Sequence, residues 1–290
     1  MRNLTMMTDL YQLTMMYGYY KYNTHERQSV FDLFFRKRSV NSAYAIAAGL
    51  EQVMEYIDNL HFSEDDLEYL GSLKLFDDKF LDLLRDLRFT GEMYAVPEGT
   101  VVFPDEPLVR IKAPLIEAQL IETALLNIIN HQTLIATKAS RVVMAAQGSS
   151  VLEFGLRRAQ GPDAGIYGAR AAIIGGCSAT SNVLTGQMFG IPIKGTHSHS
   201  WVMSFPDELS AFRAYAEAFP DSCLLLVDTY NTLKSGIPNA ITVFRELREK
   251  GYEPVGIRLD SGDLAYLSKK AREMLDEAGF PNAKIVASND

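Results

Sequence analysis

Six short apolar runs in the second half of the 290-residue chain limit its fold more than any other feature: SVLEFG (150–155), IIGGCS (173–178), IPIKGT (191–196), CLLLVDT (223–229), PVGIRLD (254–260) and KIVAS (284–288). Helical spacing lies between them over Glu208–Ala218, Gly236–Lys250 and Leu264–Ala278. Strand-sized runs alternating with helices predict βαβ units and a parallel sheet. Most of the runs lead into polar residues: Arg157 and Arg158, then Ser178, Thr180 and Ser181, then His197 to Ser200, then Asp228 and Thr229, then Arg258, Asp260 and Ser261. In a parallel barrel such ends converge on the face that carries the active site. An Asp or Ser after a strand also serves as the cap of the next helix. Five polar ends in succession, with arginines among them, favour a site over five caps.

The first half has a different texture. Thr8–Tyr20 and Tyr44–Leu60 read as helices, Ser29–Arg36 alternates like a strand, and Ser63–Leu73 starts with a Ser N-cap followed by Asp66. Glu92–Pro114 is β-rich, and Leu115–Gln147 is a long helical stretch expected to break at least once. These readings predict an α/β domain with long helices over 1–147 and a β/α barrel domain over 148–290.

Bulk properties narrow the function. With 47% hydrophobic residues the chain has material for a large core, yet its apolar runs, such as Leu224–Val227, fall far below the roughly 20 residues of a membrane-spanning helix. The first twenty residues show neither an apolar signal core nor a small-residue cleavage site. Cys177 and Cys223 form no CxxC pair and read as reduced thiols, so a cytoplasmic protein is expected. A net charge of -8 argues against general nucleic-acid binding, which is built largely from phosphate neutralisation by Lys and Arg.

The stretch GTHSHSWV (195–202) places His197 and His199 two residues apart. On a strand both would face one side, as at the start of an amidohydrolase-like metal site. That reading is short of ligands, because no histidine follows His199, and His25, His61 and His131 lie outside the barrel-like region. A packed histidine beside a solvated one is the plain alternative. The third reading gives one histidine a nucleophilic or acid/base role, with a neighbouring acceptor fixing its tautomer. RLDSGDL (258–264) supports it: an Asp for sugar hydroxyls, then Ser261 and Gly262 at a helix N-terminus suited to an anion. VDTYNT (227–232) repeats the scheme.

Together with TDLYQLTMMYGY (8–19) and EFGLRRAQGPDAG (153–165), these motifs resemble those of the nicotinate phosphoribosyltransferases, in order and along essentially the whole chain. The resemblance implies an irregular β/α barrel of the type II phosphoribosyltransferases with an N-terminal α/β domain, usually a homodimer. It implies transfer of phosphoribosyl from phosphoribosyl pyrophosphate (PRPP) to nicotinate, giving nicotinate mononucleotide and pyrophosphate. ATP as co-substrate would be coupled through a phosphohistidine, and Mg2+ would travel with the phosphates rather than on a dedicated protein site.

By the family's Gly-Thr-x-x-His-Ser motif, which includes Thr196 in the substrate site, His199 is the phosphoacceptor and His197 a neighbour. Phe154 and, from the partner subunit, Tyr11 would cover the pyridine ring. Arg157 and Arg258 would hold the nicotinate carboxylate or phosphate, and Asp228 and Asp260 the ribose hydroxyls. Arg36, in the basic run 36–38, would reach phosphates across the dimer. The stretch Ser178–Thr180 lacks the acidic residue expected of nicotinamide-using relatives. Chains of this family are longer, so the sequence reads as a fragment without the 5'-phosphate loops. A nicotinamide-using enzyme and a non-catalytic nucleotide-binding barrel remain the alternatives.

Overall fold

A computed structural model describes residues 3–36 and 43–288. Contacts divide the chain into two compact units at Lys194/Gly195. The first contains α1 (Leu10–Lys21), β1 (Gln28–Phe34), β2 (Ala45–Ile46), α2 (Leu50–Asp58), α3 (Glu64–Ser72), α4 (Asp78–Asp86), β3 (Glu92–Ala95), β4 (Val101–Val102), β5 (Pro107–Pro114), α5 (Leu115–Ala145), β6 (Leu152–Glu153), α6 (Pro162–Ile174), β7 (Ala179–Thr180) and α7 (Val183–Phe189). The second contains α8 (His199–Met203), α9 (Glu208–Ala218), β8 (Leu224–Leu226), α10 (Ile237–Glu249), β9 (Gly256–Leu259), α11 (Leu264–Glu277) and β10 (Lys284–Ala287).

In the first unit β1, β5 and β3 form an antiparallel sheet with β5 in the middle. Alternation along β5 turns Val109, Ile111 and Ala113 into a core shared with Met16, Val53, Phe80 and Leu120. The predicted helix over Tyr44–Leu60 is split. Ala45 and Ile46 pair with Val102 and Val101, and α2 starts only after Gly49, at φ 108°. A Cβ on Gly49 would sit 3.1 Å from Ile128 O of α5, so this left-handed, close-packed turn requires glycine. Helix α4, capped by Asp77 on the Phe80 amide at 3.0 Å, has no counterpart among the predicted elements. Ser63 and Asp66 form the reciprocal capping box anticipated at α3.

Helix α5 runs unbroken for 31 residues, contrary to the expected break. Neither Pro nor Gly occurs between Leu115 and Ala145, so nothing interrupts its hydrogen-bond ladder. Its second half packs on α6 through Ala136, Ala139, Ala171 and Ala172. A Cβ on Gly175 would lie 2.4 Å from Ala136 O, which shows how closely the two backbones approach. This packing also explains why IIGGCS is not a strand. Its two isoleucines complete α6, which Pro162 starts at its first turn, and pairing is displaced to Ala179–Thr180. Strands β6 and β7 are parallel, and IPIKGT contributes a single parallel bridge at Ile193.

An ionic cluster centred on a buried arginine ties these elements together. The Arg170 guanidinium on α6, 11% exposed, pairs with Glu98 and Glu51 and donates to Gln132 of α5. Glu98 also accepts from the Gly49 and Leu50 amides.

In the second unit β8, β9 and β10 are parallel, in the order β10-β9-β8, with Leu226 opposite Arg258 and Arg258 opposite Val286. The predicted strands and helices of this region match the structure closely. Leu225, Val227, Ile257 and Leu259 fill a core with Phe212, Ile237, Phe244 and Leu275 from the flanking helices.

Candidate active site

The three polar strand ends of the second unit and the 196–199 loop meet in one network. Strand β8 ends in Asp228, whose side chain is only 1% exposed. Its Oδ1 faces His199 Nε2 at 3.2 Å. Its Oδ2 accepts the Asp260 amide at 2.9 Å and the Ser261 hydroxyl at 2.5 Å. The carboxylate is therefore turned to His199 and the 260–261 loop. The His199 side chain is 40% exposed and opens α8. An ionised carboxylate at Nε2 favours a proton there and leaves Nδ1 as the lone-pair nitrogen. Nδ1 has no hydrogen-bond partner among the described residues.

Strand β9 supplies Arg258, 11% exposed, which donates to Asp260 Oδ1 at 2.9 Å, to Ser288 Oγ at 2.9 Å and to Thr196 Oγ1 at 3.3 Å. Burial opposes ionisation of Asp260, but the Ser288 hydroxyl and the Arg258 guanidinium outweigh it and hold the carboxyl below the usual aspartate value. Ser288, at the end of β10, is a member that the sequence reading missed, although the same strand-end logic pointed to it. Gly262 turns the chain at φ 79°. The expected anion site at Ser261–Gly262 is altered: α11 begins at Leu264, and the Asp263 carboxylate already accepts its Tyr266 amide at 2.9 Å. In VDTYNT, Asn231 caps the Lys234 amide, and Thr229 Oγ1 is buried without a hydrogen-bond partner among the described residues.

His197 is of a different kind. It is 8% exposed, its Nε2 accepts the Leu226 amide at 3.1 Å, and its Nδ1 lies 3.3 Å from Ser198 O. Burial, reinforced by Arg258 and His199, pushes its imidazole below the ordinary histidine value. Accepting the Leu226 amide at Nε2 while Nδ1 faces a carbonyl requires a neutral ring with its proton on Nδ1.

The remaining expected residues lie in the first unit. Phe154 is half-buried at the end of β6, and Arg157 is exposed on the 3-10 turn Gly155–Arg158 that follows. Arg157 has no hydrogen bond or ion pair among the described residues. Glu153, just before Phe154, accepts from the Gly155 amide and from Thr180 Oγ1 at 2.6 Å, which fixes the start of the turn. Tyr11 is half exposed on α1, and Arg36 is exposed beyond β1. Lys37 and Arg38 of the basic run lie outside the described residues. Among the described residues no cluster of three or more His, Cys, Asp or Glu side chains is arranged to hold a metal ion.

Residues 6–130 match the family model described as the nicotinate phosphoribosyltransferase N-terminal domain. The nicotinate phosphoribosyltransferase of Bacillus subtilis is 54% identical over 288 residues, covering 99% of this chain and 58% of the relative. The crystal structure of human nicotinic acid phosphoribosyltransferase superposes with a TM-score of 0.91 at 35% identity, covering 98% of this chain and 68% of that one. The chain belongs to the nicotinate phosphoribosyltransferase family. Its fold is accordingly the α/β fold of the type II phosphoribosyltransferases. The nicotinate-nucleotide pyrophosphorylase of Pyrococcus furiosus, with a TM-score of 0.80 at 24% identity, shares that fold. The chain spans less than two thirds of the length of its Bacillus subtilis relative. No helix among the described residues is long and apolar enough to cross a membrane.

Proposed function

We propose that this chain carries the phosphoribosyl-transfer site of a nicotinate phosphoribosyltransferase, in which His199 takes the γ-phosphoryl group of ATP. The observation that carries this reading is the exposed His199 backed by the buried, fully engaged Asp228. In the phosphorylation step, the Nδ1 lone pair attacks the γ-phosphorus, the bond to the ADP oxygen breaks and ADP leaves. Positive charge develops on the ring as the N–P bond forms, and Asp228, hydrogen-bonded to Nε2–H, stabilises it. Arg258 and Asp260, held by Ser288 and Thr196, sit beside this centre and suit phosphate and ribose contacts.

Arg157 suits the nicotinate carboxylate because a planar guanidinium makes bidentate contacts and stays charged, with Phe154 as a stacking surface for the ring. The stretch Ser178–Thr180 carries no acidic residue to pair with a substrate amide, which favours the acid substrate. Mg2+ would arrive on ATP and PRPP. A homodimer sharing Tyr11 and Arg36 between sites, working in the cytoplasm, belongs to the same reading.

Incubation with γ-labelled ATP, followed by recovery of acid-labile, alkali-stable phosphate, tests it. Label on the wild-type chain and none on His199→Ala is the expected result. No label on the wild-type chain would leave a non-catalytic nucleotide-binding barrel as the better reading.

A further inference from the structure

We propose that His197 is a positioning residue, whose Nε2 stands in for a strand carbonyl on the outer edge of β8 and so sets the register of His199 against Asp228. In parallel pairing, successive residues direct their amides to opposite sides of a strand. The Val227 amide donates to Arg258 O at 3.1 Å, toward β9. The Leu226 amide, one residue earlier, therefore points away from β9. Among the described residues of this unit β8 pairs only with β9, so that side is an edge. The acceptor there is His197 Nε2, at 3.1 Å.

The geometry goes further than satisfying one amide. Two residues beyond Leu226 lies Asp228, and two residues beyond His197 lies His199. The loop and the strand are thus joined by two rungs of equal spacing, His197 to Leu226 and His199 to Asp228. The ring is held for this task by Tyr215 of α9, edge-on at 4.7 Å, and by Phe212 at 6.2 Å between ring centres. Only a neutral ring with its proton on Nδ1 can accept at Nε2 while donating to Ser198 O. A side chain without an acceptor at this reach would leave the Leu226 amide unpaired and free the first rung. The consequence for reactivity rests on the reading of His199 as phosphoacceptor; the positional claim does not.

Ring-nitrogen NMR on the full 290-residue chain, uniformly labelled with 15N, tests both levels. The wild-type spectrum is expected to show His197 protonated on Nδ1 and His199 protonated on Nε2. His197→Leu, folded by circular dichroism, should shift the Leu226 amide and let the His199 ring exchange between tautomers. ATP-dependent labelling of His199 should then fall about 10- to 100-fold, as for a reactive group displaced by about 1 Å. His197→Gln, which presents an acceptor oxygen at similar reach, should restore both signals. A folded His197→Leu with an unchanged His199 tautomer and unchanged labelling would overturn the proposal. So would a wild-type His197 protonated on Nε2, a result that stands even if the leucine variant fails to fold. If the tautomer shift occurs while the wild-type chain takes no label, the positioning role holds and the phosphorylation reading fails.

Discussion

The two units end their parallel strands in opposite styles. In the second, Thr196, His199, Asp228, Arg258, Asp260, Ser261 and Ser288 are bonded to one another before any ligand arrives. In the first, Glu153 and Thr180 fix the start of the 155–158 turn, but Arg157 stands exposed and without a partner among the described residues. A preorganised network costs no rearrangement at the moment charge develops, which suits group transfer. An unpaired guanidinium suits recognition, since its partner is the ligand. Under the proposed function, chemistry falls to one set of strand ends and substrate choice to the other.

The largest expected effect comes from breaking the bonded network. Asp228→Asn keeps one acceptor oxygen, which the Asp260 amide and Ser261 hydroxyl claim, so its NH2 faces His199 Nε2 and favours the opposite tautomer; phosphate incorporation from ATP should fall on the order of 10²- to 10⁴-fold. A largely buried control outside the network sharpens the point. Arg170→Met leaves Glu98 uncompensated inside the first unit and should cost about 3–5 kcal/mol of stability in urea unfolding, as loss of one partner of a buried ion pair does. Label per folded molecule should stay near the wild-type level in that variant.

Next in size, Arg157→Ala should raise the KM for nicotinate about 10- to 100-fold, the scale of hydrogen bonds to a charged group, with a smaller change in kcat. If it abolished phosphate incorporation instead, the division of labour between the strand ends would be wrong.

The smallest effect is a pH dependence. Folding lowers the His197 value, so the unfolded chain binds the proton more readily. The contribution to stability is therefore fully present above the unfolded histidine value of about 6.5 and is lost as pH falls from there through the lowered folded value. Thermal unfolding from pH 7.5 to 5 should show a steeper loss in the wild type than in His197→Gln. Parallel curves would remove His197 from the account.

Much of this was legible beforehand. The second-half helices and strands follow from apolar runs separated by good helix formers, and the site motifs fell where those strands end. The misreadings have tertiary causes. IIGGCS is as apolar as a strand, but its glycines serve close packing against α5, a tertiary fact that periodicity does not carry. The split at Gly49 depends on Ile128 and Ile129, some eighty residues away in the chain. The separation of His197 from His199 came from the family motif and not from the His-Ser-His string, and the structural task of His197 was not legible because burial and the Leu226 amide decide it.

Helix α5 has a mechanical consequence. A straight rod of 31 residues measures about 46 Å. The antiparallel sheet and α1 grip one end, and α6, which follows the turn bearing Arg157, rests on the other. Tilting such a lever by about 5° about its gripped end swings the far end through about 4 Å, more than a hydrogen bond can stretch. The alignment of the 155–158 turn is thus set by how firmly the opposite end of the unit is clamped, and a substitution near Ile116 or Leu120 can be felt at Arg157 without touching it.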